Sequence, residues 1–331
     1  MKWWRLMLEE RLNATCWILL LAGMTKSVSH LHVQLDATPG STIGEFASVL
    51  KQLLSPVLLQ NLENLEVECV DKDFDIEYCI EVFLQLPRLR GLELSYVPFD
   101  RSMDPDRWLG RCLSKDIKAI SDLEELTLNG RCSTYFLGRL FRRFKALRSF
   151  TYRPFPEQNP SYRDLDRIWR SLALLKHSLE RLHIEFPAPD GTYYYVWPRH
   201  MMQYPKLTDF CLVGRFVLDP SLSDGGPDHS YVPPNVQVLS FASHNATVRL
   251  IPPNRTNTTE DVSENISRFV QNLKELRLML KRLTLTKGSG PEEQWYDLVM
   301  RMEKIGVELR EWTEEEERMF TERRDAAFKA T

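Results

Sequence analysis

His30 and His32 stand two residues apart in a run that reads as a β-strand. Side chains alternate across a strand, so both imidazoles share one face, which could begin a metal site. No third ligand lies within sequence reach, so no metal centre is assigned. His177, His183, His200, His229 and His244 form no H-x-x-x-H or H-E-x-x-H helix motif. The chain holds no G-x-S-x-G elbow and no G-x-x-x-x-G-K phosphate loop. Gly288 and Gly290 read as a turn, and the acidic residues are too evenly spread to nominate a carboxylate pair. These residues ask for no catalysis, cofactor or metal, and a non-enzymatic protein is expected.

Cys16, Cys69, Cys79, Cys112, Cys132 and Cys211 are scattered, with no C-x-x-C pair. Reduced thiols fit that pattern and point to the cytoplasm or nucleus. Sequons at Asn13, Asn245, Asn254, Asn257 and Asn265 point instead to a secreted glycoprotein, the alternative reading. Lys2 and Arg5 ahead of the apolar run 16–22 could open a signal peptide. Glu9, Glu10 and Arg11 directly before that run argue for the helix of a first structural unit instead. The run is too short to span a bilayer, so no membrane partner is expected.

Lys and Arg number 43 against 46 Asp and Glu, a net charge of −3, which is not the footprint of a nucleic-acid-binding protein. The local basic cluster Arg139, Arg142, Arg143, Lys145 and Arg148 reads as a solvated face. At 43% hydrophobic residues the chain can build a continuous core.

The elements that must position any site come from one recurring phrase. Leu123-Glu124-Glu125-Leu126-Thr127-Leu128 is apolar-x-x-apolar-x-apolar, the entry and inward face of a short half-buried strand. The same frame recurs at Val28/Leu31/Val33, Leu62/Leu65/Val67, Leu89/Leu92/Leu94, Leu147/Phe150/Tyr152, Leu179/Leu182/Ile184, Leu207/Phe210/Leu212, Val236/Leu239/Phe241 and Leu273/Leu276/Leu278. A loosely constant period of about 30 residues lies in the range of solenoids. Helical spacing precedes several strands, at 43–59, 78–84, 133–141 and 162–175, and again at 292–305. Such a helix is the crossover that returns a parallel strand to the same sheet. Gly306-Val307-Glu308-Leu309 reads as a terminal strand, and Thr313-Glu314-Glu315-Glu316 as a capping box opening a charged helix. The expectation is an α/β solenoid of about nine irregular helix–strand units over 1–312, with a parallel sheet on its concave face. A charged C-terminal capping helix or tail follows over 313–331.

Residues between the inward positions must face the other way. That face reads His30/His32/Gln34, Asn64/Glu66/Glu68, Gly91/Glu93/Ser95, Glu125/Thr127/Asn129, Ser149/Thr151/Arg153, Arg181/His183/Glu185, Asp209/Cys211/Val213, Val238/Ser240/Ala242 and Glu275/Arg277/Met279. Extended faces of this kind are what solenoids use for binding. The expected partner-binding residues are Glu66, Glu68, Glu93, Glu125, Thr127, Thr151, Arg153, Arg181 and His183. Acidic side chains in the second to fourth frames favour a protein partner with a basic segment.

The nine frames look like leucine-rich repeats, irregular in length and lacking Asn or Cys at the position that bonds the turn. Phrases such as Leu86-Pro87-Arg88-Leu89-Arg90-Gly91-Leu92-Glu93-Leu94 and Pro233-Pro234-Asn235-Val236-Gln237-Val238-Leu239 resemble the repeat region of fungal F-box/leucine-rich-repeat-like proteins. The resemblance covers about residues 12–312. It implies a protein–protein interaction scaffold, of the substrate-receptor type found in cullin–RING ubiquitin ligases. The adaptor-binding F-box of that family opens with a Leu-Pro-x-Glu-like phrase, and none occurs near this N-terminus. Adaptor binding is therefore assigned to no residue. The alternative remains a secreted leucine-rich-repeat glycoprotein that binds an extracellular ligand.

Overall fold

The computed structural model describes residues 28–35, 61–69, 80, 83–84, 86–97, 121–130, 134–153, 162–185, 195–196, 201–213, 216–217, 233–242, 280–285 and 292–311. The chain packs as two compact units, Met1–Leu147 and Arg148–Thr331.

In the first unit β1 (His30–Leu35), β2 (Asn64–Cys69), β3 (Gly91–Val97) and β4 (Glu125–Gly130) lie in that order, each parallel to the next. The register is frame on frame: Leu31 faces Leu65, Leu65 faces Leu92, and Leu92 faces Leu126. Leu62, Leu65, Val67, Leu89, Leu92, Leu94, Leu123, Leu126 and Leu128 are all buried. The inward seam is therefore continuous from β2 to β4, because a period of two keeps the fourth and sixth positions of each frame on one side. After β4 comes α1 (Thr134–Phe141), which buries Phe136, Leu137, Leu140 and Phe141 at helical spacing. Leu84 N–H donates to the Ile80 carbonyl at 2.9 Å, a helical bond ahead of β3, and both side chains are buried.

The second unit repeats the plan. Its strands β5 (Ser149–Arg153), β6 (Arg181–Glu185), β8 (Asp209–Val213), β10 (Val238–Ala242), β11 (Arg282–Leu285) and β12 (Glu308–Glu311) are neighbours in that order, all parallel. A separate two-stranded pair joins β7 (Tyr195–Val196) to β9 (Phe216–Val217). Between β5 and β6 runs α2 (Tyr162–Leu172), tightening into a 3-10 turn over Ala173–Leu175 and burying Ile168, Leu172 and Leu175. The last crossover contains α3 (Glu292–Lys304), which buries Met302.

One backbone device recurs at the mouth of nearly every described strand. The carbonyl of Ser29 accepts from the N–H groups of Glu63 and Asn64, Glu63 accepts from Arg90 and Gly91, and Arg90 accepts from Glu124 and Glu125. In the second unit Arg148, Glu180, Thr208 and Gln237 do the same for Glu180/Arg181, Thr208/Asp209, Gln237/Val238 and Lys281/Arg282. A carbonyl oxygen has two lone pairs, so one acceptor at each such entrance satisfies two donors and locks the next strand's register.

Two expectations change here. The strand beside β10 is Arg282–Leu285, in the frame Leu280/Leu283/Leu285, with Leu280 and Leu283 buried. The frame Leu273/Leu276/Leu278 and its face Glu275/Arg277/Met279 lie outside the described residues, as do 43–59 and the C-terminal segment 313–331. The outward face is also less open than alternation implies. Ser95, Glu185, Val213, Ser240 and Thr284 are buried, so several strands are covered on both sides along part of their length.

Candidate functional site

In the first unit the open face of the sheet is a lattice of polar side chains. Alternation puts His32, Glu66, Glu93 and Thr127 in one row, on adjacent strands in matched register. Gln34, Glu68, Ser95 and Asn129 form the next row, and His30, Asn64, Gly91 and Glu125 the row at the strand entrances. Glu66 thus stands directly across from Glu93, a like-charge pair that costs stability unless cations or donors relieve it.

The relief is partial. His32 Nδ1 lies 3.0 Å from Glu66 Oε2, and its Nε2 is 3.9 Å from Glu68 Oε2, with His32 51% and Glu66 47% exposed. Asn129 Nδ2 donates to Glu93 Oε1 at 2.9 Å and to Ser95 Oγ at 2.8 Å. His30 is held differently, with Asn64 Nδ2 2.8 Å from its Nε2 and Ser29 Oγ 2.9 Å from its Nδ1. Gly91 leaves room for Asn64, whose amide would collide with a Cβ at that position. Both imidazoles are therefore engaged by their own neighbours. Among the described residues no group of three or more His, Cys, Asp or Glu is placed to hold a metal ion.

The second unit carries a tighter cluster. Thr151, His183, Cys211, Ser240, Thr284 and Arg310 occupy one row, strand by strand. His183 Nε2 is 2.9 Å from Glu185 Oε1, and Arg153 Nε donates to the same oxygen at 2.7 Å. The His183 N–H is poorly aimed at that oxygen, so the contact is an ion pair more than a directed hydrogen bond. Glu185 is 8% exposed and Arg153 24%, so this is a largely desolvated pair of cations sharing one carboxylate. Burial by itself would lower the His183 pKa. The charge and hydrogen bonding of Cys211, and then the nearby Glu185 carboxylate, outweigh it and raise His183 to about 9. For Glu185 burial pulls upward, but His183 and then Arg153 hold the carboxyl below its ordinary value.

No family model matches the chain, and no curated protein matches it. The two clusters therefore stand on their geometry alone.

Of the residues expected to meet a partner, Glu66, Glu68, Glu93 and Thr127 share one neighbourhood on the first unit's face, with Glu125 exposed at the strand entrance beside them. Thr151, Arg153, Arg181 and His183 lie on the second unit's face, Arg181 exposed and the others partly covered. Among these Arg153 and His183 are turned mainly to Glu185 and not to solvent. The His183–Cys211 pairing belongs to no motif along one helix or loop, because the two residues lie on different strands. Its signal was there: both residues hold the same outward position in successive frames. Elsewhere, Arg142 and Lys145 of the basic cluster are exposed, while Arg148 lies 3.8 Å from Glu180. Among the described residues no helix is long and apolar enough to cross a membrane.

Proposed function

We propose that the chain is a non-enzymatic scaffold for protein–protein interaction, a leucine-rich-repeat-like solenoid whose acidic sheet face holds a basic segment of its partner. The observation that carries this reading is the row Glu66–Glu93, flanked by Glu68 and Glu125, where carboxylates sit side by side on matched strands. Such a row stores like-charge repulsion that Lys or Arg side chains of a partner would remove. The solenoid itself is supported by the shared acceptor carbonyl at successive strand entrances and, within each unit, by the inward seam of buried apolar side chains. The likeness of the frames to F-box/leucine-rich-repeat-like proteins suggests one setting, a substrate receptor of a cullin–RING ubiquitin ligase.

The test has two steps. Affinity capture with mass spectrometry identifies what the full chain binds, and ligase subunits among the captured proteins support the receptor setting. Calorimetry then compares the purified partner's affinity for the wild type and for the triple variant Glu66→Lys, Glu68→Lys, Glu93→Lys. The expected loss is at least about tenfold, with circular dichroism unchanged. Equal affinities would remove the acidic face as the site.

A further inference from the structure

The cluster on the second unit contains a nucleophile that the binding reading leaves unused. Cys211 lies on β8 beside His183 on β6, the two being direct partners in the parallel register. Their side chains leave the sheet on the same face, and Cys211 is a free, half-buried cysteine. The imidazole also lies against Glu185, its Nε2 2.9 Å from Oε1, and Arg153 Nε donates to that same oxygen at 2.7 Å. The remaining neighbours in the row, Thr151 on β5 and Ser240 on β10, carry no charge that would compete.

We propose that Cys211 is a site of oxidative modification, at which a small peroxide converts the thiol to a sulfenic acid with His183 as the positioning residue. The sulfur attacks one peroxide oxygen, and the S–O bond forms as the O–O bond breaks. The departing hydroxide takes up the thiol proton and leaves as water, so sulfur is oxidised and the peroxide reduced. His183 contributes charge. Its pKa, raised to about 9, keeps the ring cationic near neutral pH, and a cation beside the reacting atoms stabilises the negative charge that builds on the departing peroxide oxygen. Glu185 keeps the ring in place, and partial exposure of Cys211 admits a reagent as small as hydrogen peroxide. This assignment does not depend on which partner the acidic face of the first unit binds.

The experiment uses the full chain, hydrogen peroxide and dimedone, which traps sulfenic acids, with peptide mass spectrometry to read Cys211 apart from the other five cysteines. The expected result is labelling of native Cys211 at least about tenfold faster than in the same chain unfolded in urea. His183→Gln, with its fold verified by circular dichroism, is expected to remove most of that advantage. A native rate no higher than the unfolded one overturns the assignment, and so does an unchanged rate in the folded variant. If the variant does not fold, the wild type decides. Its native-to-unfolded rate ratio should fall toward one as pH rises through about 9, and a ratio insensitive to pH refutes the role of the imidazolium.

Discussion

At the scale of single residues, the cluster of His183, Cys211, Glu185 and Arg153 makes stability depend on pH from both sides. His183 has a folded-state pKa of about 9 against an ordinary 6.5, so its contribution is whole below 6.5 and fades as pH climbs through 9. Glu185 is shifted the other way, so its contribution is present above the ordinary carboxylate value of 4.5 and fades only as pH falls through the lowered one. Thermal melts from pH 5 to 10 should therefore show a plateau and then a decline toward alkaline pH, which His183→Gln flattens. Glu185→Gln leaves Arg153 and His183 without their shared carboxylate, and should cost about 1–3 kcal/mol in urea denaturation at pH 7. A loss under about 0.3 kcal/mol would mean that solvent already screens the pair. The acidic part of the site was legible in the sequence, since strand alternation alone puts Glu66, Glu93 and Thr127 in neighbouring outward positions. The burial of Glu185 was not. Alternation says which way a side chain points, and nothing about what lies over it.

At the scale of elements, the junction between α3 and β12 shows how a crossover ends. Gly306 adopts φ +76°, its N–H donates to the Glu303 carbonyl at 2.9 Å, and Val307 N–H donates to the Met302 carbonyl at 2.9 Å. This paired closure satisfies carbonyls that the helix end leaves open, and buried Val307 and Met302 are the apolar partners that accompany it. A Cβ at Gly306 would meet nothing within 4 Å, so Gly306→Ala tests backbone conformation alone. The expected cost is about 1 kcal/mol in the denaturation midpoint. Leu126→Ala, in the middle of the first unit's seam, should cost about 2–5 kcal/mol, because neighbouring strands fix the cavity walls. Thr127→Ala, one residue on and facing outward, should cost under about 1 kcal/mol. Equal effects at positions 126 and 127 would contradict the two-faced sheet. Eight of the frames that mark these strands could be read directly, because an apolar pair at period two after an entry leucine has few alternatives. The ninth could not, since both Leu273/Leu276/Leu278 and Leu280/Leu283/Leu285 fit the frame. What chooses between them is the Gln237 carbonyl, which accepts from Lys281 and Arg282, and a backbone group leaves no mark in the sequence.

At the scale of the whole molecule, a net charge of −3 conceals an uneven distribution. The outward rows of the first unit gather Glu66, Glu68, Glu93 and Glu125 with no Lys or Arg among the described strand residues. Those of the second unit mix Arg153, Arg181, Arg282 and Arg310 with Glu185, Asp209 and Glu308, and Arg282 Nε meets Glu308 Oε2 at 2.8 Å. Among the described strand residues only the first face presents carboxylates in excess, so the proposed partner should be drawn there by long-range attraction. Such steering acts chiefly on encounter and is screened by salt, whereas packing after contact is not. Raising ionic strength from about 0.05 to 0.5 M should therefore slow association by about tenfold or more while changing dissociation little. Stopped-flow measurements with the captured partner resolve the two rates separately. In the triple Glu→Lys variant the association rate should lose its salt dependence or reverse it, since the field that attracted the partner now repels it. An association rate equally sensitive to salt in both proteins would place the attracting charges elsewhere on the chain.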